Sequence, residues 1–419
     1  MIVNRKLSNG IRVVIESVPN VRSAALGIYV ETGSAYETLE QNGISHMLEH
    51  MMFKGTANRS ARDIARETAL LGDDMNAYTA KEMTCYYARV LDEHLPVMAE
   101  LMGDMLTNSL FSEEDLEREK GVILDEIDMY EDSPEDLVQE QLQKLVWEEH
   151  ALGFIISGTE ENVRRISRQE LIEFWREHYT AQRMLLSVAG NVEIEAVCEL
   201  LERCFSGIPE GSMSVPAPAP IYHPGRKWFH KEMEQVHLCV GFPSISHTDS
   251  RSYTLSMVNN IIGGSSSSRL FQRIREEQGL CYSLYSYGSS YHQTGIFQIY
   301  CGMNEENLEI VCHEIMEALK QFAKEGPDLE ELEQSYLQIR SELLLSMENT
   351  HNRMNHNARC LLYMGRIVSI EEMLGELKKV QKEDVIAYME NFCKPELASW
   401  TLVGDLEENP ELKKQFDSF

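Results

Sequence analysis

The sequence predicts an α+β fold with two homologous domains, each a mainly antiparallel sheet packed with helices, joined by a Pro-rich linker. Three observations support this prediction. A chain of 419 residues is too long for one ordinary hydrophobic core. Its strand and helix patterns do not alternate one for one, as they would in a doubly wound parallel sheet. Its two halves look like distant copies of each other.

The linker is the segment 206–225. It contains five prolines, at positions 209, 216, 218, 220 and 224, together with several Gly and Ser. A segment of this composition is stiff and extended and does not pack inside a domain. We therefore predict an N-terminal domain over 1–205 and a C-terminal domain over 226–419.

The internal repeat rests on two weak matches. The apolar segment 183–191, which ends in a Gly turn, recurs 214 residues later at 397–405. The start of a long helix at 115–117 recurs 216 residues later at 331–333. Because the two matches give nearly the same offset, they support each other as signs of a duplicated domain.

The periodicity of apolar residues predicts the individual elements. In the first half it predicts strands near 11–16, 24–31 and 83–91 and helices near 42–53, 60–71, 93–107 and 112–131. In the second half it predicts strands near 227–232, 236–242, 281–290 and 294–302 and helices near 250–262, 268–277, 304–324 and 328–348.

The chain is strongly acidic, with 68 Asp and Glu against 38 Lys and Arg and a net charge of −30. Nucleic acid and anionic membrane surfaces are therefore poor partners. The charge either keeps the surface soluble or lines an interior that attracts basic substrates, and the composition leaves both open. No run approaches the roughly 18 to 20 apolar residues that a membrane span needs.

The cysteines and the N-terminus both favour a cytoplasmic protein. Nine cysteines lie far apart with no CxxC pair, so we expect reduced thiols and no zinc–thiolate site. Residues 1–16 alternate apolar and other residues after a turn, which predicts a strand and not a signal peptide.

The segment HMLEH, from His46 to His50, predicts a metal site. Two histidines four residues apart share one face of a helix, where both imidazoles can bind one zinc ion. Glu49 lies on the same face and can take a proton from a water molecule. A third ligand is needed, and Glu119 and Glu126 lie two turns apart on one face of a predicted helix. From the residues alone, abundant acidic residues favour a solvated helix face over a ligand position.

Three separated segments, 43–56, 76–79 and 119–126, carry motifs in a fixed order. In residues and order they resemble the pitrilysin (insulinase) family of zinc peptidases, the inverzincins, in its mitochondrial-processing-peptidase-like branch. The resemblance covers the whole chain, including its two-copy layout. It implies one Zn²⁺ per chain, held by three residues: His46, His50 and Glu126. It gives Glu119 a supporting position, and whether Glu119 takes part in catalysis stays open.

The resemblance also implies a substrate site. Asn76, Ala77 and Thr79 would belong to a sheet edge to which an extended substrate adds as a strand. The C-terminal domain, which lacks the metal ligands, would contribute Arg275 and Tyr282 to stabilise a developing oxyanion. From the residues alone, Arg275 is a surface charge at a helix end and 76–79 is an ordinary turn and edge strand.

We therefore predict a zinc metalloendopeptidase that hydrolyses extended peptides or unfolded polypeptides, preferably basic ones, with Glu49 as the general base. By the resemblance, two chains would form a homodimer that encloses an acidic chamber. Two alternatives remain. Family members without the metal ligands act as non-catalytic partner or scaffold subunits. The intact motif of this chain argues against that role. Zinc chemistry alone would also permit a hydrolase of another substrate.

Overall fold

The computed structural model describes residues 1–72, 74–148, 150–212, 219–405, 414 and 416. Pro216 and Pro218 of the predicted linker lie outside the described residues. The chain folds into two compact units that are not contiguous in sequence. Unit 1 comprises Met1–Asp128, Phe154–Pro218 and Leu345–Val368, and unit 2 comprises Met129–Gly153, Ala219–Leu344 and Ser369–Phe419.

Each unit contains one sheet. The strands of sheet 1 in unit 1 are β1 (Ile2–Lys6), β2 (Arg12–Ser17), β3 (Ser23–Val30), β4 (Met75–Thr79), β5 (Thr84–Leu91) and β6 (Met184–Gly190). The strands of sheet 2 in unit 2 are β7 (Arg226–His230), β8 (Val236–Ser244), β9 (Cys281–Ser290), β10 (Gly295–Met303) and β11 (Ser399–Gly404).

The two sheets have the same topology. Sheet 1 runs β1-β2-β6-β3-β5-β4 and sheet 2 runs β7-β11-β8-β10-β9, so sheet 1 repeats the order of sheet 2 and adds β1 at one edge. Neighbouring strands are antiparallel except for β2 with β6 and β7 with β11, the equivalent pairs in the two sheets. The predicted α+β fold with two similar, mainly antiparallel sheets is confirmed.

The helices follow the predicted pattern in most places. In chain order they are α1 (Ile44–Met51), α2 (Ala61–Leu71), α3 (Leu95–Asn108), α4 (Glu113–Glu131), α5 (Pro134–Val146), α6 (Glu160–Arg165), α7 (Arg168–His178), α8 (Ile194–Phe205), α9 (Ser252–Ile262), α10 (Leu308–Glu325), α11 (Leu329–Ser346), α12 (Thr350–Arg359), α13 (Ile370–Leu377) and α14 (Lys382–Phe392). The helix predicted over 268–277 contains the π-helical turn Phe271–Glu276.

Among the described residues, no helix has both the length and the apolar character that crossing a membrane requires. All nine cysteines are free.

Each unit contains one helix that comes from the opposite half of the sequence. Helix α12, from the second half of the chain, belongs to unit 1 and covers β3 and β6. Gly27 in β3 makes room for it, because a Cβ there would lie 2.9 Å from the Sδ atom of Met354. The hydroxyl of Ser187 in β6 donates to the carbonyl of Met354 at 2.8 Å.

The same contacts recur in unit 2 with α5, from the first half of the chain. Gly241 in β8 makes room for it, because a Cβ there would lie 2.7 Å from Leu142. The hydroxyl of Thr401 in β11 donates to the carbonyl of Val138 at 2.9 Å. Gly241 and Thr401 each stand 214 positions after Gly27 and Ser187, and Val138 stands 216 positions before Met354, the offsets that the sequence repeat gives. The compact units thus differ from the boundaries predicted at the linker, because the equivalent helices α5 and α12 are exchanged.

The core of unit 1 lies on the other face of sheet 1. Side chains from α1, α2, α3, α4, α7 and α8 pack there against the apolar residues of the strands. Strand β4 lies at the edge of the sheet and, among the described residues, pairs only with β5. Helix α1 lies beside β4, and this neighbourhood contains the candidate site.

The packing of α12 gives a stability prediction. Met354→Ala should lower the free energy of unfolding of unit 1 by about 2–5 kcal/mol, because the side chain is fully buried and leaves a cavity. Met364→Ala is the matched control, since Met364 is 39% exposed and its loss should cost within about 0.5 kcal/mol. Hydrogen exchange of the sheet 1 amides in urea measures both, and equal effects would contradict the role given to α12.

Candidate metal centre

Helix α1 separates a core face from a polar face. Ile44, Met47, Leu48 and Met51 are buried, at 1% exposure or less, in the unit 1 core. The remaining positions place His46, Glu49 and His50 together on the half-buried face, as their spacing predicts. The apolar face therefore fixes the rotation of the helix and with it the direction of the histidines.

Helix α4 supplies the two acidic candidates. Its Leu116, Ile123 and Ile127 are buried in the same core as α1, and its acidic side chains reach the histidines of α1. Glu126 lies with its Oε2 atom 3.7 Å from Nε2 of His46 and 3.5 Å from Nε2 of His50. The structure thus brings His46, His50 and Glu126 together.

Glu119 lies on the other side of the His50 ring. Its Oε2 atom is 3.1 Å from Nδ1 of His50, and its Oε1 atom is 2.7 Å from Nζ of Lys54. A hydrogen bond at Nδ1 fixes the tautomer and leaves Nε2 with its lone pair toward Glu126. Glu119 is therefore placed to orient a ligand and Glu126 to be one.

The electrostatics of the site favour a neutral imidazole at His46. Burial and then the neighbouring His50 lower the pKa of His46 to about 4. A histidine with that pKa is neutral at neutral pH and keeps a lone pair for a metal ion. Its Nδ1 atom is buried and has no hydrogen-bond partner among the described residues.

The donor set fits zinc. One ligand atom from each of His46, His50 and Glu126 lies within 4.8 Å of the other two, and no other group of this kind occurs among the described residues. Two imidazole nitrogens and one carboxylate oxygen are a usual protein ligand set of catalytic zinc sites, which keep a further position open. The half-buried side chains, 15%, 16% and 33% exposed, leave the site open to a small molecule.

Glu49 is held next to the histidines by the edge strand. The hydroxyl of Thr79 at the end of β4 donates to Oε2 of Glu49. Burial raises the pKa of Glu49, and the bond from Thr79 only partly opposes that rise. A carboxylate with a raised pKa is better suited to accept and return a proton near neutral pH.

The predicted substrate residues lie on β4. Asn76, Ala77 and Thr79 are exposed or half-buried, on an edge strand that has β5 on one side only. The backbone N–H of Ala77 donates to the side-chain oxygen of Asn76 at 2.8 Å. This hydrogen bond satisfies a donor that β5 does not use, and an added strand could replace it.

Arg275 and Tyr282 belong to unit 2. Arg275 lies in the π-helical turn, with its guanidinium 4.7 Å from the ring centre of Phe271. Tyr282 is the second residue of β9 and is 75% exposed. The structure places both on the surface of unit 2, and their catalytic role stays a prediction.

Two contacts of the site were missed by sequence reasoning. Lys54, four residues after His50, pairs with Glu119, and its position one turn along from a ligand was the available signal. Thr79 was assigned to substrate alone, whereas its hydroxyl binds Glu49. No local pattern links Thr79 to α1, because the two elements meet only in the folded unit.

Family models match most of the chain. Residues 12–160 match the model described as Insulinase (Peptidase family M16), and residues 165–338 match Peptidase M16 inactive domain. The chain belongs to the M16 peptidase family. This assignment agrees with the resemblance seen in the motifs.

Named relatives of this M16 chain span nearly its full length. An uncharacterized zinc protease of Bacillus subtilis (strain 168), YmxG, is 41% identical over 92% of this chain and 94% of its own. An uncharacterized zinc protease of Streptomyces coelicolor is 37% identical over 91% of this chain and 85% of its own.

Two solved structures share the fold. The peptidase M16 inactive domain from Pseudomonas fluorescens superposes with a TM-score of 0.90 at 18% identity, covering 97% of this chain and 98% of that one. A protease from Helicobacter pylori gives a TM-score of 0.90 at 18% identity, covering 96% and 99%. At this level of identity the likeness concerns the fold alone.

The geometry distinguishes the two glutamates of α4. Glu126→Gln should lose most of the bound zinc, because it removes a ligand, whereas Glu119→Gln should weaken zinc binding by about 10–100-fold, because it removes an orienting partner. Zinc content is measured at a free zinc concentration that saturates the wild type by a wide margin. Glu117→Gln, an exposed position of the same helix, is the control and should keep its zinc. Equal zinc content in the Glu119 and Glu126 variants would contradict the assignment of Glu126 as the ligand and Glu119 as its orienting partner.

Proposed function

We propose that this M16 family member is a zinc-dependent endopeptidase. The observation that carries the proposal is the convergence of Nε2 of His46, Nε2 of His50 and Oε2 of Glu126 beside the Glu49 carboxylate. The relatives carry the name uncharacterized zinc protease, and this donor set suits the same ion. One zinc ion per chain is the expected cofactor.

Zinc at this site would supply a Lewis acid for the scissile carbonyl and lower the pKa of a nearby water molecule. His46, His50 and Glu126 would hold it, while Glu119 and Lys54 keep His50 oriented. Glu49 acts as the general base. Because its Oε2 accepts the Thr79 hydroxyl, Oε1 takes the proton from the attacking water and returns it to the leaving amine nitrogen. Water thereby adds to the carbonyl carbon, the C–N bond breaks, and a carboxyl group and an amine are formed, which at neutral pH ionise to a carboxylate and an ammonium group.

The substrate would be an extended polypeptide. A strand added to the free edge of β4 lies next to Thr79, whose hydroxyl binds Glu49, so the edge and the base are directly connected. Backbone pairing of this kind selects extended chains and tolerates many sequences. A folded protein would be a poor substrate, since its backbone groups are already paired.

Arg275 and Tyr282 are proposed, on the family resemblance, to bind the substrate carbonyl and stabilise the developing oxyanion. The exposure of Tyr282, 75%, leaves its hydroxyl free to reach a ligand. We also propose, on the resemblance alone, that two chains pair as a homodimer that encloses an acidic chamber.

A non-catalytic partner or scaffold subunit is the second candidate function. The family model for residues 165–338 carries the description inactive domain. The metal ligands and Glu49 lie outside that range, in the segment 12–160 that matches the Insulinase model. A scaffold subunit would need none of these side chains to converge, so the geometry favours the enzyme.

Replacing the base separates the two functions. Glu49→Gln should keep its zinc and its fold, because no ligand is removed, and should lose peptidase activity because the amide cannot accept the proton. Zinc content, thermal unfolding and cleavage of a denatured basic peptide are measured together, with chelation of the wild type as the reference for metal dependence. A Glu49→Gln protein with wild-type turnover would rule out the mechanism, and a zinc-loaded wild type without any cleavage would favour the scaffold function.

The net charge of −30 gives a substrate prediction. If it partly lines a chamber, a basic peptide should have a higher kcat/KM than an acidic peptide of equal length, because walls of one sign attract the opposite charge. The difference should shrink with salt, since the Debye length falls from about 10 Å at 0.1 M to about 3 Å at 1 M. Equal values of kcat/KM at low salt would eliminate the attraction and leave the zinc assignment intact.

A further inference from the structure

We infer that Glu37 is a positioning residue for the zinc-binding helix: its buried carboxylate replaces the missing cap of α1 and fixes the direction in which His46 and His50 point. The inference rests on the proposed function, because it assigns a role in holding the same metal site. Glu37 lies upstream of the HMLEH segment, and neither the motif nor the family resemblance quoted for it includes this residue.

Both oxygens of Glu37 accept hydrogen bonds from the start of α1. Oε1 accepts the backbone N–H of Ser45 at 2.8 Å, and Oε2 accepts the backbone N–H of Gly43 at 2.8 Å. Oε2 also accepts the side-chain amide of Asn42 at 3.0 Å. The first N–H groups of a helix have no partner within the helix. Glu37 therefore does for α1 what a capping side chain ordinarily does.

Helix α1 cannot supply a cap of its own. The residue at its N-cap position is Gly43, which has no side chain and a φ of +99°. A Cβ at this position would lie 2.8 Å from the carbonyl oxygen of Ser157 and 2.9 Å from the Cα of Gly158. The close approach of the 157–158 backbone thus excludes Ser, Thr, Asp or Asn at the N-cap, and the capping carboxylate comes from six residues earlier.

The cap also ties α1 to a second segment of unit 1. The side-chain amide of Asn42 donates both to Glu37 and to the carbonyl of Ile155, the latter at 2.7 Å. Asn42 is 3% exposed and Glu37 is 6% exposed. The start of the helix is therefore held by buried polar groups from two directions, and a buried network of this kind fixes one geometry when every member is paired.

The carboxylate group of Glu37 suits this environment because both of its oxygens accept hydrogen bonds. All three of its partners are donors, and the carboxylate faces the positive end of the α1 dipole. Burial raises the pKa of Glu37, and the bonds from Asn42, Ser45 and Gly43 oppose only part of that rise. Three donors meet the two oxygens, so the position requires acceptors at both atoms, which the carboxylate provides.

Because α1 is short, a change in its capped first turn also moves the two histidines. The helix has eight residues, which at about 1.5 Å per residue span only about 12 Å. His46 follows the capped Ser45 directly, and His50 is one turn further. A loosened first turn would displace Nε2 of His46 from the Glu126 carboxylate, and metal affinity depends on such distances to within tenths of an ångström.

Glu37→Gln tests the inference on the full-length protein. The amide keeps the size of the side chain but turns an NH₂ group toward donors, so at least one of the three hydrogen bonds is lost. We expect the zinc dissociation constant to rise by about 10-fold or more, the scale of an outer-shell partner. We expect kcat to fall with KM unchanged, and the absorption spectrum of the cobalt-substituted protein to change. Glu40→Gln is the control, since it makes the same charge change on an exposed side chain of the same loop.

A purely structural cap gives a different result. It would lower the unfolding temperature of Glu37→Gln while leaving zinc affinity and the cobalt spectrum, both measured well below that temperature, as in the wild type. That outcome would overturn the inference. If Glu37→Gln does not fold, Glu37→Asp takes its place, because it keeps the charge but is one methylene too short to reach both backbone N–H groups. Wild-type zinc affinity in Glu37→Asp would then overturn the inference equally.

The failure of this inference is distinguishable from failure of the proposed function. A wild type that binds no zinc, or binds zinc without hydrolysing peptides, contradicts the proposed function whatever the Glu37 variants do. A zinc-dependent wild-type peptidase with an unaffected Glu37→Gln variant contradicts only the role of Glu37.

Discussion

The packing of α1 between the unit 1 core and α4 is the constraint on which the candidate site depends. Met47, Leu48 and Met51 enter the core, and this burial turns the histidines of the opposite face toward α4. Each of these apolar side chains stabilises the fold by roughly 1.5–3 kcal/mol on burial. The hydrophobic effect thus sets which face of the helix carries the histidines toward α4, and the Glu37 cap at the start of the helix fixes their final direction.

Carboxylates surround this helix, and their environments give them different roles. Glu126 is one-third exposed and points at both Nε2 atoms, which suits a ligand. Glu119 is buried, with one oxygen on Lys54 and the other on Nδ1 of His50, which suits a residue that orients His50. Glu49 has a raised pKa and one hydroxyl partner, which suits proton transfer. Glu37 receives backbone N–H groups and serves the helix itself. Four side chains with the same carboxylate group therefore take different roles, because they differ in burial and in the partners of their oxygens.

The duplicated architecture explains why only one unit carries the site. Both sheets follow the same strand order, and Gly27 with Gly241 and Ser187 with Thr401 make equivalent contacts to an exchanged helix. These are packing positions, which the fold requires in both copies. The metal ligands are absent from unit 2 among the described residues, since the fold does not need them to form a core.

Sequence reasoning predicted those features that depend on periodicity. The spacing of His46, Glu49 and His50 placed them on one face, and apolar patterns located most strands and helices. Glu126 and Glu119 could not be separated by pattern, because both lie on one face of α4 and only the tertiary contact to His50 distinguishes them. The exchange of α5 and α12 left no signal, because an amphipathic helix does not encode which sheet it covers. Glu37 lies outside the spacing of an ordinary capping box, so its bond to Ser45 is visible only in the structure.

Zinc-edge anomalous diffraction from crystals of the zinc-loaded protein tests the central claim most directly. The account predicts one anomalous peak per chain, with Nε2 of His46, Nε2 of His50 and a carboxylate oxygen of Glu126 each about 2.0–2.2 Å from the ion. It also predicts Glu49 close to the ion but not bound to it, and Glu119 bound to Nδ1 of His50. A peak at a cysteine sulfur, or a peak bound by Glu119 in place of Glu126, would contradict the account. The absence of any peak between α1 and α4 would contradict it as well.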